Sequence, residues 1–361
     1  MKHISDDATP FRVAVVDDSR SIRAWLRHVL DADPRLKVVG EAGSGPEARA
    51  LLRQKKIDVM TLDIDMPGMS GIDFLARLMA HHPLPVVMVS ALTEAGSEAA
   101  VKALSLGAVD CIAKPRSALK PNIAEDICAR VYHAASVKVQ TRKTSLSTPS
   151  PSSFVGAGGA WSGGVILLGA STGGVTALES LLAEIDGCAA PVIIAQHMPE
   201  NFLKSFNRRL NEQLKRKFVL AKDGLVLEAG QGVLALGKEV STHLVSTPTG
   251  GIQCVFRPPS KDSLYRPSID DLFNSAGVAK LTGAAAILTG MGSDGAKGLF
   301  TLMQSGFSTY AQEEHSCVVY GMPKAAVELG AAQSILEPQD VGRKIAATFC
   351  NIRNLQRELR V

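Results

Sequence analysis

The chain has 361 residues, enough for two domains that each bury a core, and 46% hydrophobic with 20% charged residues describes a globular protein rather than a disordered one. A formal charge of +4 without a long basic run gives no argument for nucleic acid, so the basic residues read as solvated faces. Six scattered cysteines without a C-x-x-C pair point to neither a zinc site nor a disulfide framework; with a polar start at Met1 to Pro10 and no apolar run near the ~20 residues of a membrane span, the sequence predicts a soluble, unexported protein of a reducing cytoplasm.

Val13 to Val16 reads as a short buried strand ending in Asp17-Asp18-Ser19, with Ile22, Leu26, Val29 and Leu30 marking the helix face behind it. The same unit recurs. Lys37 to Ala42 is a second strand, followed by Ser44 and Glu47 at capping-box spacing. Asp58 to Asp65 is a third, followed by Pro67-Gly68 and by Ser70 as the cap of a helix carrying Ile72, Leu75, Leu78 and Met79. Pro85 to Ser90 and Ala108 to Lys114 are the fourth and fifth, with a helix through Val101 and Leu104 between them. Five such units from Phe11 to about Arg130 predict a parallel sheet covered by helices on both faces. In such a sheet the carboxyl ends of the strands build the site, so Asp17, Asp18, Asp63, Ser90 and Lys114 converge on one edge. Three carboxylates that close repel unless a cation sits among them, and an all-oxygen set suits Mg²⁺, while Ser90 and Lys114 complement an added phosphoryl group. Capping of the following helices accounts for one such residue but not for the set.

The stretches Val15-Val16-Asp17-Asp18-Ser19, Leu62-Asp63-Ile64-Asp65-Met66-Pro67-Gly68-Met69, Val89-Ser90-Ala91 and Lys114-Pro115 resemble a two-component response-regulator receiver, a flavodoxin-like (βα)5 fold. The resemblance implies that Asp63 accepts the phosphoryl group. It implies that Asp17, Asp18, Asp63 and the backbone carbonyl of Asp65 hold Mg²⁺, that Ser90 senses the phosphoryl oxygen and Lys114 pairs with it, and that the bond before Pro115 is cis. Cys111 departs from the pattern: it stands three residues before Lys114, where many receivers carry an aromatic switch residue, which leaves the route to output open.

Ala124, Ile127, Val131 and Ala134 mark a last helix, and residues 131–160 are assigned to a linker. Its Ser, Thr, Pro and Gly content, with Ser147-Thr148-Pro149-Ser150-Pro151-Ser152-Ser153, cannot form a packed core. A tether of that length lets two domains touch or separate, and a passive spacer is the plain alternative.

The second domain, 161–361, opens on the apolar run Val165-Ile166-Leu167-Leu168-Gly169, the turn Ala170-Ser171-Thr172-Gly173-Gly174 and a helix face of Val175, Leu178, Leu181 and Leu182. Ser171 is centred in G-x-S-x-G, where flanking glycines allow the sharp bend that presents a hydroxyl, and the helix behind it offers N–H groups to a developing oxyanion. A phosphate-binding turn is the alternative, but the glycines do not fall as G-x-G-x-x-G and no Gly-Lys-Ser/Thr follows. Pro191 to Ala195 is the next buried strand and ends in Gln196-His197-Met198-Pro199. A lone histidine is usually structural, and position alone does not make His197 a base. His243 and His315 are weaker alternatives, and His3, His28, His81, His82 and His133 have no obvious chemistry. Ala284 to Thr289 is a third strand, ending in Gly290-Met291-Gly292-Ser293-Asp294-Gly295, where glycines around one Asp predict backbone brought close to a ligand. Ser171, His197 and Asp294 then share one sheet edge, the arrangement a Ser-His-Asp relay needs. Their chain order is Ser, His, Asp, not the order of α/β-hydrolases.

Gly169-Ala170-Ser171-Thr172-Gly173-Gly174, Gln196 to Pro199, Arg266 to Asp270, Thr289 to Gly295 and Val318 to Pro323, together with the receiver, resemble the chemotaxis protein-glutamate methylesterase (CheB) family over essentially the whole chain. The implied fold is two α/β domains, the second a doubly wound, mostly parallel methylesterase domain. The resemblance implies Ser171 as nucleophile, His197 as acid/base, Asp294 as orienting carboxylate and the Met291 N–H as oxyanion donor, with Arg266 to Asp270 and Tyr320 to Pro323 as cleft walls and no cofactor in the catalytic domain. It implies glutamyl methyl esters of chemoreceptors as substrate, glutamine deamidation as a second reaction, a chemotaxis histidine kinase as phosphodonor, and a receiver that covers the cleft until phosphorylated. Ala235-Leu236-Gly237-Lys238 departs from the family's Ala-Pro-Gly and is expected to affect a surface connection. Hydrolysis of another ester and a non-catalytic, phosphorylation-controlled binding module are the alternatives.

Overall fold

Short apolar runs set the strands of both halves of the chain. The computed structural model describes residues 9–90, 93–114, 121–137, 161, 163–237, 239–261, 263 and 265–358, in two units divided between Ser145 and Leu146. In the first, β1 (Phe11–Val16), β2 (Leu36–Ala42), β3 (Val59–Asp63), β4 (Val86–Ser90) and β5 (Asp110–Ala113) alternate with α1 (Arg20–Asp31), α2 (Gly45–Gln54), α3 (Gly71–His81), α4 (Glu94–Ser105) and α5 (Pro121–Ala135). The five strands pair in the order β2-β1-β3-β4-β5, all parallel. Their central strands are buried along their length, as helices on both faces require. Four helices start on a hydroxyl cap: Ser19, Ser44, Ser70 and Thr93 accept from the N–H of Ile22, Glu47, Asp73 and Gly96. Such a cap contributes about 1 kcal/mol and fixes where each loop ends. Helix α5 runs to Ala135, five residues past the boundary drawn at Arg130. Pro115 and residues 138–160, with the expectations for the cis bond and the linker, lie outside the described residues.

The second unit contains β6 (Val165–Ala170), α6 (Gly174–Ile185), β7 (Val192–Gln196), α7 (Glu200–Gln213), β8 (Phe218–Leu220), β9 (Gly232–Leu234), the antiparallel ribbon β10 (Ser241–Ser246) and β11 (Ile252–Arg257), α8 (Ile269–Val278), β12 (Gly283–Ile287), α9 (Ala296–Gln304), β13 (Ser308–Gln312), α10 (Met322–Glu328), β14 (Ser334–Leu336) and α11 (Pro338–Glu358). Seven parallel strands pair as β14-β13-β12-β6-β7-β9-β8. The chain starts in the middle at β6, grows outward through β7, and crosses back to β12 on the other side. That reversal opens a crevice at the carboxyl end of β6, the place where open α/β sheets bind ligands. One layer of the core joins Leu167, Ile193 and Ala285 of the sheet to Ile269, Phe273 and Leu299 of α8 and α9, all fully buried.

Arg216 fastens the far end of this sheet. Only 4% exposed, its guanidinium donates to the carbonyls of Ala190 (2.9 Å), Gln231 (3.3 Å), Ile185 (3.0 Å) and Cys188 (2.7 Å), and its backbone N–H goes to Asp186. Replacing it by methionine keeps much of the volume and strips four carbonyls of their donor. We expect the second unit to lose ~3 kcal/mol or more, read as faster hydrogen exchange of the β6 and β7 amides in denaturant; unchanged exchange would mean that water replaces the guanidinium without loss.

Candidate functional site

Because β12, β6 and β7 are neighbours, the turns after them meet. Ala170 pairs with Gln196 in the β6–β7 register, so Ser171 and His197 leave adjacent strands at the same level, and the His197 N–H donates to the Ala170 carbonyl at 3.0 Å. On the other side the Ser171 N–H donates to the Thr289 carbonyl at 3.0 Å, tying the serine turn to the turn after β12. Gly173, at φ 78° in the left-handed region, starts α6 and lies so close to Val318 that a Cβ there would come within 2.4 Å of it. A Cβ on Gly290 would stand 2.6 Å from the Ser171 Cβ and 2.4 Å from the Met322 sulfur. The glycines of both turns therefore leave the room that the side chains of Val318, Met322 and Ser171 fill at this point.

His197 Nε2 and Asp294 Oδ2 are 2.8 Å apart and both side chains are nearly buried. Asp294 also accepts from the N–H groups of Ile269 (2.8 Å) and Asp270 (3.0 Å), the first turn of α8. Burial opposes its ionisation, but the hydrogen bond and charge of His197 and those two N–H groups outweigh burial and hold the carboxyl below its ordinary range. In return, Asp270 accepts from the Gly298 N–H of α9 at 2.7 Å, so each carboxylate caps the other's helix. Burial, reinforced by the charge of Asp294, pushes Asp270 up to about 6. With Nε2 on the carboxylate, the nitrogen left to accept a proton is Nδ1, which is buried and has no hydrogen-bond partner among the described residues. The Ser171 hydroxyl makes no hydrogen bond to a described residue, and the Met291 N–H has no acceptor among them. Tyr320 to Met322 close one side, since the N–H groups of Gly321 and Met322 both donate to the Gly290 carbonyl. His243 lies on β10 and His315 is exposed between Glu313 and Glu337, so neither joins this group.

In the first unit, Asp17, Asp18 and Asp63 offer carboxylate oxygens that all lie within 4.8 Å of one another. Lys114 bridges two of them, 2.9 Å from Asp17 and 2.7 Å from Asp63. Burial raises the Asp63 carboxyl above its ordinary range; Lys114 pulls it back and Asp17 pushes it further up. An all-oxygen set with exposed Asp18 open to water fits a hard divalent cation. Asp65 is exposed on its loop, and its N–H donates to Asp63 at 3.3 Å. Ser90 is buried and its hydroxyl donates to the Gly96 carbonyl of α4 at 3.2 Å. Cys111 is buried in β5, and burial pushes its thiol well up, so it is a packed apolar residue there.

Three contributors carry no sequence signal of their own. Gln196 Nε2 donates to the carbonyls of Ser171 (2.9 Å) and His197 (3.3 Å); Thr289 Oγ1 donates to Thr172 and accepts from Val319, both at 2.9 Å; the Tyr265 ring stacks on His197. Each makes a contact to a residue distant in sequence, and only the Gln-His-Met-Pro and Thr-Gly-Met-Gly stretches around two of them point there. The expectation for Ala235 to Gly237 is corrected: Ala235 is fully buried and Gly237 abuts Pro267, so this stretch packs against the segment leading into α8 rather than forming a surface connection, while Lys238 lies outside the described residues.

The CheB methylesterase family model matches residues 166–345, and the response regulator receiver domain model matches residues 13–123. A protein-glutamate methylesterase/protein-glutamine glutaminase of Caulobacter vibrioides is 43% identical over 341 residues, 92% of this chain and 96% of its own. One from Agrobacterium fabrum is 42% identical over 342 residues, covering 92% and 95%, and one from Pseudomonas aeruginosa is 41% identical over 335, covering 91% and 93%. Among the described residues no helix is long and apolar enough to cross a membrane. With both domain matches in the order seen in the fold and such relatives aligned over nearly their whole length, the chain belongs to the CheB methylesterase family and carries a response regulator receiver domain ahead of its methylesterase domain.

Proposed function

We propose that this chain is a cytoplasmic protein-glutamate methylesterase that hydrolyses γ-methyl glutamyl esters on chemoreceptors, releases methanol, and deamidates receptor glutamines at the same site, under control of phosphorylation at Asp63. The observation that supports it most is the His197–Asp294 pair, 2.8 Å apart, beside a serine whose hydroxyl is left unengaged by the described residues. In this reading the Ser171 oxygen attacks the ester carbonyl carbon and its proton passes to His197 Nδ1. The Met291 N–H takes the oxyanion, a donor fixed before the reaction starts. Collapse expels methanol, which leaves with the proton from His197. Water then attacks the acyl-enzyme by the same relay and yields glutamate. A glutamine amide presents the same carbonyl and expels ammonia instead.

In the receiver, an Asp63 carboxylate oxygen attacks the phosphorus of a phosphoryl donor, in the cell the phosphohistidine of a chemotaxis histidine kinase, and the P–N bond breaks to return the kinase imidazole. Asp17, Asp18, Asp63 and the Asp65 carbonyl would hold Mg²⁺, which neutralises charge on the transferred group. Lys114 then pairs with a phosphoryl oxygen, and Ser90 gives up its bond to Gly96 to do the same. A coupling between two sites is typically 1–3 kcal/mol, so methanol release from methylated receptor membranes should rise about 5- to 150-fold on adding Mg²⁺ and a small phosphodonor. Asp63→Asn should retain the unstimulated rate and lose the rise, and a chelator should remove the rise from the wild type. A wild type that binds receptor but releases no methanol under any condition would exclude the esterase; a rise that persists in Asp63→Asn would place the control elsewhere.

A further inference from the structure

We infer that Tyr265 is a positioning residue for the catalytic histidine, a face-on support that holds the imidazole in plane and favours its charged form. The inference rests on His197 as the base of the proposed reaction. The two rings are parallel within 6° with centroids 4.7 Å apart. A hydrogen bond to Asp294 fixes one atom of the imidazole, Nε2, and leaves the ring free to swing about that contact. A flat ring against its face removes the swing and keeps Nδ1 aimed along one direction. The same tyrosine reaches the oxyanion turn, since its hydroxyl lies 2.8 Å from where a Cβ on Gly292 would stand. Gly292, at φ 77°, is the residue after Met291, so one side chain touches both the base and the turn that carries the proposed oxyanion donor.

Tyr265 is itself held. Its carbonyl accepts from Arg266 Nη1 at 2.7 Å and from the Ser263 hydroxyl at 3.2 Å, and Arg266 Nη1 also reaches the Ser263 carbonyl and hydroxyl at 2.9 and 2.8 Å. A support that merely filled space would not need this knot. Its face also carries the negative lobe of the ring quadrupole, which attracts a cation within about 6 Å of the centroid. In the proposed reaction the imidazole gains a proton as the serine attacks, so this attraction grows toward the transition state and acts on kcat more than on KM.

The test uses the full chain with Mg²⁺ and phosphodonor, comparing Tyr265→Leu, Tyr265→Gln and Tyr265→Phe, in all of which Asp294, Asp270 and Arg266 are intact. Loss of the aromatic face should lower kcat about 10- to 100-fold with KM nearly unchanged, and should move the acid limb of the kcat/KM profile to lower pH by roughly half a unit, because the imidazolium is no longer favoured. Phenylalanine keeps the ring and should restore the position of that limb. In the wild type, NMR should find the His197 ring protons shifted upfield by the tyrosine ring current. Unshifted ring protons, or a Leu or Gln variant that loses only KM or thermal stability while its acid limb stays put, would overturn the inference. His197→Gln separates the two readings: if it retains the wild-type rate the triad fails, and if it is inactive while the Tyr265 variants leave kcat and the limb untouched, only the support fails.

Discussion

Ser171→Ala should lower methanol release from methylated receptor by about four powers of ten or more without unfolding the protein. The two halves of that expectation have separate causes. None of the bonds that build the serine turn uses the Ser171 side chain: the Ser171 N–H goes to Thr289, and its carbonyl accepts from the Gly174 N–H at 2.8 Å and from Gln196 Nε2 at 2.9 Å. The hydroxyl contributes no hydrogen bond to a described residue, so its removal should change stability by no more than ~0.5 kcal/mol. On the proposed mechanism, what disappears is the atom that forms the acyl-enzyme, and the remaining site can only offer water a polarised carbonyl. The check is steady-state methanol release with the phosphodonor present, alongside a thermal melt and receptor binding of the same variant. A residual rate above a tenth of wild type, with the melt unchanged, would remove Ser171 as nucleophile.

Much of this site is legible from the sequence because parallel strands write it locally. A buried strand in a two-sided sheet reads as an apolar run, and the polar residue that ends it must lie on the sheet edge, so Asp17, Asp63 and Ser171 announce themselves by where the apolar residues stop, and His197 stands one residue beyond Gln196, which ends β7. Glycines at φ 78° and 88° announce the turns before α6 and α9 in the same way. Strand order is different. Nothing within Val165–Ala170 says that its partners are β7 and β12, one of them more than a hundred residues on, because that pairing is decided by packing across the whole unit. The three-residue strands Phe218–Leu220, Gly232–Leu234 and Ser334–Leu336 are too short to show a period at all. The roles of Tyr265, Gln196 and Thr289 are not legible for the same reason: each matters through a contact across the fold, and a tyrosine in a polar loop reads as ordinary until the imidazole beneath it is seen.

Asp294→Asn should cost about four powers of ten in kcat, nearly as much as loss of the serine, although it exchanges one oxygen for one nitrogen. Three donors converge on the carboxylate: His197 Nε2 and the Ile269 N–H on Oδ2, and the Asp270 N–H on Oδ1. An amide can satisfy only part of this. If its oxygen stays toward His197 and Ile269, its NH₂ faces the Asp270 N–H, donor against donor. If it turns round, the NH₂ donates to Nε2, the proton moves to Nδ1, and the nitrogen that must take the serine proton is already occupied. In both orientations the imidazolium formed during the reaction loses its counter-charge. Stability should follow pH in a matching way. The folded Asp294 carboxyl lies below its ordinary value, so the stability it contributes is present above the unfolded pKa of ~3.9 and is lost as pH falls through the folded value. The gap in unfolding free energy between wild type and Asp294→Asn should therefore be wide at pH 7 and narrow below about pH 4. Removing the negative charge should also let Asp270 fall from about 6 toward the ordinary range, which carboxyl-carbon NMR titration would read directly. A variant with kcat within tenfold of wild type would remove Asp294 from the relay, and a stability gap that does not narrow in acid would show that its charge is not what holds the first turn of α8.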